Sequence, residues 1–278
     1  MNDSTVNFLL ELNNRFYQEQ GASFAQTRGA PWHGWKRCLE ELGNANLAHK
    51  ELSILDLACG NRRFEAFLRS SLPETTINYF GVDNSNEMSG EHDGESPHLS
   101  LSDSDSAQSN YQDLDILRLL VDDGQKAVEE HVHAPQCDIV STFGFMHHIP
   151  SQSLRKALLD IMITHTKSGG FIIASFWQFI KCPNLGQKAK ETHVCALTEL
   201  SPPAPFESAD ALNKTLDKGD YFLGWQNKTG AYRYCHSFSE CEINGLVKHV
   251  SDRAKLIAHF EADGRTQNLN TYIILQVY

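Results

Sequence analysis

The sequence predicts an α/β chain with a doubly wound sheet of seven strands and helices on both faces. Three features carry that expectation. Short apolar runs alternate with amphipathic stretches of helical period, the signature of strand–helix–strand units. The first run, "ELSILDLAC", passes through a single glycine into a helical stretch, as nucleotide-binding loops do. The next, "TINYFGVDNS", carries an acidic residue, Asp83, at its end, 27 positions after Asp56.

Taken in order, Val6, Leu9, Leu10, Asn13, Phe16 and Tyr17 fall at helical spacing and open the chain with an amphipathic helix. A turn-like "TRGAPWHGW" leads to a second short helix near Lys36 to Leu42. After the first strand, "GNRRFEAFLRSS" reads as a helix with Phe64, Phe67 and Leu68 on one face. Residues 84–109, rich in Ser, Asp, Glu and Gly with few apolar anchors, read as a long flexible insertion. "YQDLDIL" is expected as a third strand and "CDIVSTFGF" as a fourth. Ser151 caps a helix running to Lys167, whose apolar positions are Leu154, Leu158, Ile161 and Met162. "SGGFIIASFWQF" supplies a turn and the fifth strand, "SECEINGLVKHV" a helix, and "KLIAHFEAD" and "NTYIILQVY" the last two strands. Between them, Ile180 to about His236 shows little periodicity and reads as an elaboration over the carboxyl ends of the strands, where ligands bind in such sheets.

The organisation expected is one domain over residues 1–278. An N-terminal helical segment (1–50) flanks the acceptor side, and a cofactor-binding core (51–180) carries the insertion. A cap (181–236) and a final helix with two strands (237–278) complete it. No apolar run approaches a membrane span, and seven scattered cysteines without CxxC spacing suit a reducing cytoplasm better than disulfides or zinc. No pair among the 13 histidines has ligand spacing with a third partner close in sequence, so no metal is expected. The net charge of −11 is concentrated between Ser70 and Leu117, which hold ten acidic residues and no Lys or Arg. Arg15 to Arg37 carries four basic residues opposed by Glu19 alone, so a thin basic face is compatible with the acidic total.

In a strand–Gly loop–helix unit the backbone passes close to the ligand, where a Cβ would obstruct it, and Gly60 occupies that position. An ordinary strand-to-helix turn explains the same glycine. Asp56, at the strand end, either accepts from a ligand ammonium or holds the loop. Asp83 is placed for ribose hydroxyls. Asp115, with the Ile116 backbone beside it, suits an adenine amino group, and Phe143 and Gly144 close the fourth strand near the reacting end.

"LDLACGN", "YFGVDNS", "QDLDI", "DIVSTFGFMHHIP" and "SGGFIIASF" resemble, in order, the motifs of class I S-adenosylmethionine-dependent methyltransferases, across about residues 50–180. The flanks "ASFAQTRGAPWHGW" and "GDYFLGWQNKTGAYRYCHSFSECEINGL" resemble those of the tRNA wobble-uridine methyltransferases, which esterify a 5-carboxymethyl group, and of their bacterial relatives. The resemblance implies a Rossmann-like fold and S-adenosylmethionine as cofactor. It implies cofactor contacts at Asp56, Ala58, Cys59, Gly60, Asn61, Arg63, Asp83, Asn84, Asp115, Ile116, Phe143, Gly144 and His148. In two respects the chain departs from the family: Arg62 stands where the first loop usually has its second glycine, and an acidic insertion follows Asp83 beside the cofactor edge of the sheet. A cation at the start of a helix is disfavoured by the helix dipole, so Arg62 is expected to face the acidic insertion or an anionic acceptor.

Transfer from a sulfonium needs alignment more than acid–base chemistry, and a carboxylate acceptor is already ionised at neutral pH. Arg28 and Arg233 are candidates to orient it, and Trp32, Trp225 and Tyr234 to stack on an unpaired base. Packing inside a cap explains the same aromatics, and a loop clamp explains Arg28. For a hydroxyl or amine acceptor, His147 or His148 could take the proton, although a ring nitrogen bonded to a nearby carbonyl is an equal alternative. His236 is a further candidate on the acceptor side. The expected partner is tRNA or a small-molecule carboxylic acid, with no membrane. A binding protein without catalysis is the third reading, hinted at by Arg62.

Overall fold

The computed structural model describes residues 1–27, 29–44, 51–84, 109–200 and 206–278. Seven strands form the main sheet: β1 (Glu51–Leu57), β2 (Thr76–Asp83), β3 (Ser109–Asp113), β4 (Cys137–Thr142), β5 (Thr166–Trp177), β8 (Ala254–Ala262) and β9 (Asn270–Val277). Their order is β3-β2-β1-β4-β5-β9-β8. The first five are mutually parallel, and β9 runs antiparallel to both β5 and β8. The sheet is therefore mixed rather than all parallel, because β8 and β9 are joined by a short turn that only antiparallel strands can use. Strand order reverses between β1 and β4, which opens a crevice at their carboxyl ends.

Neighbouring residues along the strands divide between two cores, as the two-residue period of a strand requires. Leu55, Leu57, Val140 and Ile172 face one layer; Ile54, Ile139, Phe171 and Ile173 face the other. The first layer includes α4 (Ile116–Asp122), α5 (Gln125–His131), α6 (Gln152–Thr164) and α9 (Glu240–His249). The second includes α2 (His33–Asn44) and α3 (Arg63–Ser71), whose Phe64, Phe67 and Leu68 do share one face. Ser151 caps α6 by accepting from the Leu154 N–H.

Two expectations are corrected. "YQDLDIL" is not one strand: β3 stops at Asp113, and the Asp115 side chain accepts the Arg118 N–H to start α4. The weakly periodic cap is regular structure, comprising α7 (Pro183–Glu199), α8 (Ala209–Asn213) and a hairpin of β6 (Asp220–Gly224) with β7 (Tyr232–His236). The opening helix α1 (Asp3–Gln26) lays Phe8, Leu9 and Leu12 against Phe222, Tyr232 and Tyr234 of this hairpin. Arg28 and nearly all of the expected insertion lie outside the described residues.

Candidate active site

The loop after β1 alternates conformations. Ala58, Gly60 and Arg62 all have positive φ, at 63°, 55° and 57°. The Ala58 and Cys59 N–H groups both donate to the Val82 carbonyl, and the Gly60 N–H donates to Asp83 Oδ2 at 2.8 Å. The Asp83 carboxylate therefore holds the tightest point of the loop from the end of β2. Beneath the loop, buried Asp56 accepts from the Tyr79 hydroxyl at 2.5 Å and the Ser141 hydroxyl at 2.8 Å. Burial pushes its carboxyl up to about 7, although both hydroxyls favour the charged form.

These groups line a cavity of about 710 Å³ that follows the crevice between β1 and β4. Cys59, Asn61, Arg63 and Asn84 border it at the loop end. Asp115 and Ile116 border it beyond β3, where Asn14 of α1 donates to Asp115 at 3.1 Å. Phe143 and Gly144 line it at the end of β4, with His147 and His148 following. Gly144 has φ 70°, and a Cβ there would meet the Trp32 ring at 3.1 Å, so the indole lies directly on the backbone. Arg63 ties that segment down: its guanidinium donates to the Ala30 carbonyl at 2.9 Å and sits over Trp32 and Trp35.

On the acceptor side, Arg233 of β7 is 5% exposed and lines the cavity. Its guanidinium is enclosed by Phe16, Phe24 and Trp225, with ring centroids 4.9, 5.0 and 5.7 Å away. Its Nε and Nη1 are buried and meet no hydrogen-bond acceptor among the described residues. The three ring faces are what surrounds this charge among the described residues, and a buried cation without an acceptor is otherwise costly.

Three expected acceptor-side residues are not on the cavity wall. Side chains alternate along β7, so Tyr234 and His236 point away from the face that carries Arg233. Both are fully buried. Tyr234 donates to Asp220 at 2.8 Å, and the His236 ring lies between Asp220 at 2.7 Å and Glu242 at 3.1 Å. Trp225 packs on Phe24 and donates to the Ser23 hydroxyl at 2.9 Å, serving as a wall for Arg233. Arg62 chelates Glu65 of its own helix, at 2.6 and 2.8 Å, and bonds the hydroxyl of Ser109, the last residue of the expected insertion, whose acidic stretch lies outside the described residues.

The fold does bring His147, His148 and Cys235 together, with ligand atoms within 4.8 Å of one another, which their sequence spacing did not suggest. Both nitrogens of His148 are nevertheless engaged: Nε2 meets the Tyr17 hydroxyl at 2.7 Å and Nδ1 the Tyr234 carbonyl at 3.0 Å. Asn13, Asn14, Tyr17, Phe24 and Trp177 line the cavity without having been singled out as site residues. The available signal was Asn13, a polar residue at an apolar position of the α1 repeat.

A family model for a methyltransferase domain matches residues 22–249. The chain is also similar to solved structures. One is an S-adenosylmethionine-dependent methyltransferase from Methanosarcina mazei, with 16% identity, a TM-score of 0.55, and 84% of this chain and 95% of that one covered. Another is an S-adenosylmethionine-dependent methyltransferase from Clostridium acetobutylicum, with 13% identity, a TM-score of 0.53, and 95% and 98% covered. No curated protein matches. Among the described residues, no helix is long and apolar enough to cross a membrane. The chain belongs to the methyltransferase-domain family, whose cofactor is S-adenosylmethionine.

Proposed function

We propose that this methyltransferase esterifies a carboxylate, that of a 5-carboxymethyl group on the wobble uridine of tRNA. The observation that carries the reading is Arg233, a buried guanidinium on the cavity wall whose Nε and Nη1 meet no acceptor among the described residues. A guanidinium fork matches a carboxylate in two parallel hydrogen bonds. The flanking motifs support the uridine, and Trp32, half-buried on the cavity wall, is available to stack on its base.

The donor set fits the cofactor. Asp83 serves the ribose hydroxyls, Asp115 and the Ile116 backbone the adenine edge, and Asp56 the methionine ammonium, while Gly60 lets the loop approach. Ala58, Cys59, Asn61, Arg63, Asn84, Phe143, Gly144 and His148 complete the wall. Bound S-adenosylmethionine supplies a methyl group on a sulfonium. The residues of this chain then orient and shield: Arg233 fixes the acceptor oxygen, His147 and Trp177 wall the transfer point, and the stacked Trp32–Trp35 pair excludes water. A carboxylate requires no proton removal, so no general base is needed.

Labelled-methyl transfer to an anticodon stem-loop RNA carrying 5-carboxymethyluridine tests the reading, together with nucleoside mass spectrometry of tRNA from a deletion strain. Transfer and loss of the methyl ester are expected. An unchanged nucleoside profile with no transfer would overturn it and favour a small carboxylic acid, which the net charge of −11 suits better. Arg233→Met is expected to lower turnover by about a hundredfold or more, with S-adenosylhomocysteine affinity retained.

A further inference from the structure

Leu10 and Asn14, four residues apart on one face of α1, line the cavity together with Asp115 and Ile116 at the start of α4. Leu10 packs in the same apolar core as Ile116 and Leu117, so this stretch of wall is apolar with polar atoms along one edge. That edge is Asp115 and Asn14, both half-buried. Asp115 Oδ1 accepts the Arg118 N–H at 2.9 Å, and Oδ2 accepts from the Asn14 amide nitrogen at 3.1 Å. A carboxylate only accepts, so this bond fixes the amide with Nδ2 toward Asp115 and Oδ1 turned away from it. Among the described residues, Asn14 Oδ1 accepts no hydrogen bond. Two acceptor groups, a carboxylate and an amide oxygen, therefore stand together beside an apolar wall. A separate bond, from Arg118 Nη1 to Asn7 Oδ1 at 2.8 Å, anchors α1 to α4 from a residue that does not line the cavity.

The geometry points to Asn14 as a specificity-determining residue for the cofactor, its Oδ1 and the Asp115 carboxylate together receiving the N–H groups of the adenine amine. The inference rests on the reading of Asp115 as the adenine-edge acceptor and adds to it a residue from the N-terminal helix. A lone carboxylate suits any donor. Two acceptors side by side suit a primary amine, which presents two N–H groups, and oppose a carbonyl at the same ring position. The amide does not turn over to donate to such a carbonyl, because that would set its oxygen against the Asp115 carboxylate. A site of this kind rejects the deaminated ring, whose carbonyl leaves both acceptors unpaired.

The test is competition calorimetry with S-adenosylhomocysteine and S-inosylhomocysteine, which differ in carrying an amine or a carbonyl at that ring position. The wild type should prefer S-adenosylhomocysteine by roughly 100-fold. Asn14→Ala should weaken S-adenosylhomocysteine by about tenfold and leave S-inosylhomocysteine little changed, so that the ratio narrows by about tenfold. Asn14→Leu, which keeps the bulk without the polar atoms, should give the same narrowing. Asn7→Ala, which loosens α1 without touching the cavity wall, should leave the ratio as in the wild type. A ratio unchanged in both Asn14 variants, or both ligands weakened alike, overturns the role of Asn14 and leaves Asp115 as the adenine acceptor. Narrowing by Asn7→Ala as large as that by Asn14→Ala also overturns it, assigning the effect to the placement of α1. Equal wild-type affinity for the two ligands removes the Asp115 reading and this inference with it, while the carboxylate reading of Arg233 stands.

Discussion

Arg62 holds a left-handed backbone conformation, φ 57°, at the N-cap of α3, with no side-chain capping bond. For a residue with a Cβ this costs about 1–2 kcal/mol relative to glycine. The offset is the Arg62–Glu65 chelate: Glu65 is 5% exposed and is held from its other side by Arg69 at 2.9 Å. Arg62 thus replaces a flexible glycine with a side chain that pairs a buried carboxylate and reaches β3. The two effects separate experimentally. Arg62→Ala and Arg62→Gly lose the same ion pair, but only the glycine variant relieves the backbone. Thermal melts should place Arg62→Gly above Arg62→Ala by about 1 kcal/mol, or about 2–4 °C in Tm for a chain of this size. Equal melting temperatures would mean the loop carries no such strain.

At the scale of elements, the acceptor wall depends on how the β6–β7 hairpin is held. Tyr234 lies opposite Phe222 of β6, with its N–H and carbonyl turned to the open edge of β7, where the N–H goes to Asn13 of α1 and the carbonyl meets His148 after β4. Two side chains stand in for a third strand and dock the hairpin on the sheet end. Behind it, Arg155 donates to the Ile149 carbonyl at 2.9 Å and to the Tyr234 hydroxyl at 3.1 Å, while Asp220 accepts from Tyr234 and His236. Asp220→Asn leaves Arg155 buried without its nearest carboxylate, 3.8 Å away. It should lower stability by about 3 kcal/mol and raise the acceptor KM, with S-adenosylhomocysteine affinity unchanged, as read by denaturant titration and calorimetry. Little of this was legible in the sequence, for physical reasons. The core strands are local apolar runs, and Gly60, Asp56 and Asp83 are tied to their ends, so both could be read from pattern. The hairpin strands carry aromatics on both faces, which hides their period. Once they are known to be strands, alternation alone separates Arg233 from Tyr234 and His236. The Asp115 cap was readable too, as an acidic residue ahead of "ILRLLVD".

Across the whole molecule, pH acts on stability through two carboxyl groups of opposite sense, half-buried Glu242 and buried Asp56. Burial works against the Glu242 charge, but hydrogen bonds from His236 and Ser239 hold its pKa down at about 2. Its contribution is present above the ordinary carboxyl range and is lost as pH falls through about 2. Asp56 is displaced upward, to about 7, chiefly by burial. Between about 4 and 7 the folded chain keeps a proton there that the unfolded chain has released, so stability falls as pH rises through that window. Stability should therefore be greatest near pH 4, with the neutral limb absent in Asp56→Asn and the acid limb retained. The same carboxyl links stability to the cofactor. A methionine ammonium placed against Asp56 favours the charged carboxylate, so binding near pH 6 must expel the proton that burial retains. Calorimetry of S-adenosylhomocysteine binding at pH 6, in buffers of different ionisation enthalpy, should show release approaching one proton by the wild type and close to none by Asp56→Asn. At pH 8.5 the carboxyl is already ionised and the wild-type release should vanish. Equal proton counts for the two proteins at pH 6 would detach Asp56 from the ammonium and leave it the role of holding Tyr79 and Ser141 beneath the loop.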